Sequence, residues 1–186
     1  RHTLIKMMIG REAENKSYGV LHVQKERPIL EAKHLYKKGK VHDVSFTLYE
    51  GEILGFYGLV GAGRTETARL LIGEDPLTSG EIYIRGKKAH VKSVAESLYT
   101  YNMGYITENR KEEGLFLDAT VKTNIAITIW NQIISKIFRT ISLQQETEMA
   151  NKMVKALDIR TTGVNQVTNN LSGGNQQKVS ISKWLV

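Results

Sequence analysis

Ile53-Leu54-Gly55-Phe56-Tyr57-Gly58-Leu59-Val60-Gly61-Ala62-Gly63-Arg64-Thr65-Glu66-Thr67-Ala68-Arg69-Leu70-Leu71-Ile72 is the stretch on which the fold turns. Its first five residues form an apolar run that reads as a buried strand, and Thr67 to Ile72 read as a helix. Between them lies a glycine loop, Gly58 to Thr65. Strand, glycine loop and helix in that order is the setting a Walker A phosphate loop requires. Glycines let successive backbone N–H groups curl into a nest around an anion, which a Cβ obstructs. On this reading Gly58, Gly61, Ala62, Gly63, Arg64, Thr65 and Glu66 bind the phosphates of a nucleotide. Thr65 stands where a Mg²⁺-binding hydroxyl belongs, and Arg64 where a phosphate-reaching lysine is expected. The plainer alternative, an ordinary glycine-rich turn, leaves the flanking pattern without a reason.

A second anion-binding turn lies downstream, at Leu171-Ser172-Gly173-Gly174-Asn175-Gln176-Gln177. A serine followed by two glycines opens a helix that runs from Gln176 towards Val186, with Ser172 as its N-cap. The turn exposes backbone N–H groups at the positive end of the helix dipole, and phosphate is the anion such an end favours. Alone this signal is weak. With a phosphate loop upstream in the same chain it becomes strong.

Taken together, the two motifs resemble those of ABC-transporter ATPases. Gly51-Glu52-Ile53-Leu54-Gly55, Gly61 to Glu66 and Leu171 to Gln177 are similar to the second nucleotide-binding half of the tandem ATPases of bacterial sugar importers, of the ribose, galactose and xylose type. Tyr105-Ile106-Thr107-Glu108-Asn109-Arg110-Lys111-Glu112-Glu113-Gly114-Leu115 is a third match, in the segment where most such ATPases carry a Q-loop. Met7-Met8-Ile9-Gly10-Arg11-Glu12 resembles the tail of the first half. The resemblance implies an α/β fold, a P-loop NTPase (ABC ATPase) core with an antiparallel β subdomain and a helical subdomain. It assigns residues 1–27 to the tail of a first ATPase half and a linker. Residues 28–186 are then an incomplete second nucleotide-binding domain, with the helical subdomain at about 109–175.

The resemblance also implies ligands and partners. ATP and Mg²⁺ are expected, with Thr65 and the Q-loop-like Glu108 as metal ligands. Leu171, Ser172, Gly173, Gly174, Asn175 and Gln176 form the signature, whose turn presses on the γ-phosphate of ATP held by the partner half. The partners are the first ATPase half of the same polypeptide, membrane permease subunits and, indirectly, a periplasmic-type sugar receptor. The implied location is the cytoplasmic face of the cell membrane, as a peripheral subunit. Phe116, Trp130 and Phe138 either line the groove for a permease coupling helix or pack in the helical core.

Departures from the pattern matter as much. Arginine brings a bulky planar fork where lysine offers a compact ammonium, and the two are not interchangeable in a confined nest. Glu108 replaces a glutamine; its carboxylate suits Mg²⁺ but repels the γ-phosphate. Tyr36 is the nearest aromatic for stacking on adenine, although its position beside Leu35 suits a structural role better. The Walker B carboxylates and the switch histidine belong after Trp184, and the sequence stops at Val186. No catalytic residue is therefore expected within it. Two other readings stay open: a regulatory nucleotide-binding half without turnover, and an ABC ATPase acting on nucleic acid.

Composition bounds these readings. The chain of 186 residues has a net charge of +7 and no cysteine, which excludes disulfides and thiolate metal sites. Its five histidines, at 2, 22, 34, 42 and 90, are scattered among polar residues. The lysines are dispersed, as in Lys37-Lys38, Lys87-Lys88 and Arg110-Lys111, with no stripe interleaved with aromatics, so nucleic acid is not an expected partner. The most apolar stretch, Ile125 to Phe138, is broken by Asn131, Gln132, Ser135 and Lys136, so no membrane span is expected. Ile29 to Leu35 and Val44 to Tyr49 alternate as half-exposed antiparallel strands do. A further strand is expected at Glu81 to Arg85, a short helix at about Ser93 to Tyr101 and a strand at Met103 to Thr107. Only helices are expected from Thr120 to Leu157.

Overall fold

The computed structural model describes residues 23–135 and 140–186. The expected tail of a preceding half falls largely outside them, as does Phe138. Two units meet at Lys92 and Ser93 in the sequence, and each is described by itself.

The first unit is built on a four-stranded antiparallel sheet. β1 (Gln24–Lys37) lies between β2 (Val41–Glu50) and β3 (Ser79–Ile84), and β4 (Lys87–Ala89) flanks β3. Leu30 faces Leu48 on one side and Ile84 on the other, and Ala32 faces Phe46 and Ile82. These pairings put Ala32, Ile82, Ile84 and Ala89 in the core as alternation dictates, and a register shift at His34, with φ of 53°, turns Leu35 inward as well, beside buried Val41. The helix α1 (Arg64–Leu71) adds Leu70 to the buried set.

The hairpin joining β3 to β4 goes beyond the sequence expectation of a strand ending at Gly86. Its turn is Arg85-Gly86, with φ of 49° and 75°. Two successive positive φ values define the turn whose twist matches a hairpin. Arginine in the first of these positions gives no sequence signal.

The buried strand expected at Ile53–Tyr57 does not form. The segment carries no ladder, and Ile53 and Tyr57 are 79% and 100% exposed. A strand covered on both faces needs neighbours on its edges to take its N–H and C=O groups. No strand among the described residues pairs with this one. Phe56 sets its ring edge-on to Phe46 at a centroid distance of 5.0 Å, and Leu54 is half-buried.

The second unit is mostly helical. α2 (Val94–Tyr101) starts as expected at Ser93, whose Oγ accepts from Glu96 N. A single turn of π-helix follows at Arg110–Gly114, then α3 (Val121–Ala126), α4 (Trp130–Ile133), α5 (Leu143–Ala156) and α6 (Gly173–Ser182). The strand expected at Met103–Thr107 is also absent from the observed ladders, for the same want of a neighbour. Nor is the region after Thr120 purely helical, since Ile134 bridges Ile141 and Thr120 bridges Val167. Within the stretch expected to be helical, α5 does form, and it carries Met149, Met153 and Val154 at helical spacing. Val121, Ile125, Ala150, Met153, Val164, Leu171 and Val179 form the core.

One buried amide organises that core. Asn124 is 1% exposed. Its Oδ1 accepts from Phe116 N at 2.8 Å, and its Nδ2 donates to Phe116 O, Thr120 O and Thr168 Oγ1. Every polar atom of the side chain is satisfied, so the network ties the segment after the π turn to both α3 and the approach to α6.

Candidate functional site

The glycine loop bends sharply into α1 because two of its residues occupy the left-handed region. Gly61 and Gly63 both have φ of 82°. A Cβ on Gly63 would lie 2.8 Å from the Lys40 carbonyl oxygen, so the β1–β2 turn abuts the loop. A Cβ on Gly58 would come within 3.0 Å of Ala62 Cβ. Thr67 closes the first helical turn by donating its hydroxyl to Gly63 O at 2.7 Å. The loop is thus a close-set cradle of backbone that runs directly into α1.

Arg64 reaches back across this cradle. Its Cδ and Nε lie 3.8 and 4.0 Å from the point where a Gly58 Cβ would sit. That places a permanent positive charge beside the loop, although the residue itself is exposed. Thr65 is exposed one residue further into α1, and Glu66 stands in the first helical turn. The backbone cradle and Arg64 fit a polyphosphate, and the Thr65 hydroxyl fits a divalent cation that arrives with it. Among the described residues no cluster of His, Asp and Glu is able to hold a metal by itself. Tyr36 is half-buried and meets His42 edge-on, at 5.6 Å between ring centroids.

In the second unit the Ser-Gly-Gly turn opens α6 as expected, but its cap differs. Ser172 holds the N-cap position without capping any backbone N–H. Its Oγ instead accepts from Asn175 Nδ2 at 2.9 Å, and Asn175 Oδ1 accepts from Arg160 N at 2.9 Å. The first-turn N–H groups of α6 are left without a side-chain acceptor, and Ser172, Gly173 and Gly174 are all exposed. Leu171 and Gln176 are buried beneath them; Gln176 Nε2 donates to Thr168 O at 3.3 Å. The exposed turn is therefore an anion-seeking surface on a rigidly held base.

The Q-loop-like segment packs on the same helix. A Cβ on Gly114 would fall 3.0 Å from Thr107 Cγ2 and 3.2 Å from Ser180 Oγ. Lys183 Nζ donates to Gly114 O at 2.6 Å, and burial pushes its ammonium below the usual lysine range. Thr107 donates to Glu113 Oε2 at 2.6 Å and accepts from Asn109 N, while Asn109 Nδ2 donates to Glu112. Glu108 points to none of these partners and is exposed. Glu108 and Thr65, expected to share a metal, belong to different units. Phe116 is 61% exposed, whereas Trp130 is half-buried with its indole N–H shielded from solvent and unpartnered.

Residues 41–186, which include both glycine-rich turns, match the ABC transporter family. The chain belongs to that family. As an ABC transporter cassette it is similar to the ribose import ATP-binding protein RbsA of Bacillus licheniformis, 42% identical over 99% of this chain and 36% of that protein. It is also similar to the fructose import ATP-binding protein FruK of Bifidobacterium longum, 39% identical over 100% of this chain and 37% of that protein. The chain thus spans little more than a third of the length of these curated relatives. A nucleotide-free ATP-binding cassette from an ABC transporter superposes with a TM-score of 0.69, at 21% identity over 85% of this chain and 64% of that one. The expected P-loop ABC ATPase fold is therefore the observed one. No helix among the described residues of this ABC cassette is long and apolar enough to cross a membrane.

Proposed function

We propose that this chain is the second nucleotide-binding half of an ATPase that drives carbohydrate import across a bacterial membrane. Its signature turn completes the ATP site of a first half in the same polypeptide, and its own phosphate loop turns over poorly. The observation that carries this reading is the contrast between the two turns. The Ser172–Gly174 turn is exposed, uncapped and firmly based, whereas the phosphate loop carries Arg64 in place of a compact ammonium.

Several facts support it. The relatives named above import ribose and fructose, and their greater length leaves room for another half. In phosphoryl transfer to water the protein mainly positions groups and offsets developing charge. The backbone of Gly58–Gly63 would bind phosphate oxygens, and Arg64 would neutralise them without fitting between them. The Thr65 hydroxyl would hold Mg²⁺ together with the nucleotide, and the ion would supply charge neutralisation at the phosphates. Membrane permease subunits, a periplasmic-type receptor and a peripheral cytoplasmic location follow from the same reading. Exposed Phe116 is the residue best placed to meet a permease helix.

The test uses the full-length subunit assembled with its permease. Ser172→Arg fills the anion site, and sugar-stimulated ATP turnover falls to background. Near-normal turnover in that variant refutes the assignment. Arg64→Ala, by contrast, costs much less than replacing the phosphate-loop lysine of the first half. A regulatory half that binds nucleotide without turnover is the second reading, favoured by Arg64. It requires bound ATP to persist at this loop after the first half has turned over.

A further inference from the structure

Arg110 presents an anomaly of charge. Its Nη2 lies only 2.8 Å from the position a Cβ would take on Gly173, the first residue of α6. Its Nε is sealed from solvent with no acceptor, and no hydrogen bond or ion pair of the described residues involves this guanidinium. A guanidinium carries five donors in a fixed fork and is never deprotonated. Half-burying one without an acceptor is unfavourable. Setting it on the positive end of a helix dipole adds repulsion. Sequence gives this placement a further mark: position 173 is glycine, and any side chain there would displace the guanidinium.

Both sources of strain vanish if an anion occupies the turn. We infer that Arg110 is a second, cationic arm of the signature turn, donating to the same terminal phosphate that the first-turn N–H groups of α6 bind. The inference rests on the proposed role of that turn. Its distinct content is that phosphate is held by a side chain from the Q-loop-like segment as well as by backbone. The π turn at Arg110–Gly114 explains how the arm is aimed. Gly114 packs against Thr107 and Ser180, and its carbonyl is pinned by Lys183, so the turn bearing Arg110 is fastened to α6 itself. Occupancy of the turn would then be felt directly by the Glu108 segment.

Stability and activity should therefore move apart. In the full-length subunit with its permease, Arg110→Met keeps the packing of the aliphatic stem and removes the charge. Loss of a charge-assisted hydrogen bond lowers kcat/KM for ATP by about tenfold to a hundredfold. The melting temperature stays level or rises, because a repelled, unpaired cation has gone. Arg110→Lys restores turnover to within about threefold, as a single donor to phosphate does. Wild-type kcat/KM in the Met variant overturns the inference, and so does a Met variant that melts lower or fails to fold, since that marks a packing role. If Ser172→Arg also leaves turnover intact, the reading of the turn itself has failed. If Ser172→Arg abolishes turnover while Arg110→Met does not reduce it, only the role of Arg110 is refuted.

Discussion

Gly63 shows how a single hydrogen atom in place of a methyl group sets the glycine loop. The Lys40 carbonyl stands 2.8 Å from the absent Cβ, and φ is 82°. Gly63→Ala therefore combines a left-handed backbone, about 1–3 kcal/mol of strain, with a contact that backbone must move to relieve. Urea denaturation should report that loss, and titration with a fluorescent ATP analogue should show binding at this loop gone. Arg64→Lys works in the opposite sense. A compact ammonium fits the nest, and affinity for nucleotide at this loop should rise about tenfold, the worth of one charge-assisted hydrogen bond. Unchanged affinity would mean that the loop geometry, not the fork, limits binding. At this scale the sequence was a good guide to the glycine loop that leads into α1 and to Ser172 at the head of α6. It gave no hint of the Ser172–Asn175 bond, because an N-cap serine has several partners within reach and only the tertiary position of Arg160 decides among them.

Elements were harder to read. β1, β2, α2 and α5 follow from alternation, an N-cap serine and helical spacing, all of them local signals. The runs at Ile53–Tyr57 and Met103–Thr107 carry an equally clear apolar signal and form no ladder. A strand is made by its neighbours, and pairing is not encoded within the five residues concerned. β4 was missed for a related reason, since it depends on Arg85 adopting φ of 49°. The Asn124 network is likewise invisible in sequence, where an asparagine between Thr123 and Ile125 looks like a surface residue. Asn124→Leu should cost the second unit about 1–3 kcal/mol, because it removes the acceptor of Phe116 N and the side-chain links to Thr120 and Thr168, while Phe116 O keeps Ala119 N as donor. Equilibrium unfolding followed by helical circular dichroism measures it; a loss under about 1 kcal/mol would show that water replaces the amide.

At the scale of the whole chain, several cations of the described residues stand in separate ion pairs. Lys37 Nζ stands 2.6 Å from Asp75 Oδ1, and this hydrogen bond above all holds the Asp75 carboxyl below the usual carboxylate range. Glu81 is lowered in the same way, first by Lys88. A carboxyl whose pKa is lower folded than unfolded stabilises the fold above the ordinary carboxylate range. That contribution disappears as pH falls through the range to the folded value. Asp75→Asn should thus flatten the acid limb of a stability–pH curve by up to about 1 kcal/mol, as befits a partly exposed pair. Thermal melts between pH 7 and pH 3 decide the matter, and an unaltered acid limb would rule the pair out. The unladdered run before the phosphate loop has a practical corollary of another kind. With Tyr57 wholly exposed and Phe56 and Leu59 accessible, it is where, among the described residues, chymotrypsin should cut first. Because the bond after Tyr57 is the one that joins Gly58, ATP seated in the loop should slow the cut, and a protease clock would then read occupancy of this site even if the site never hydrolyses what it holds.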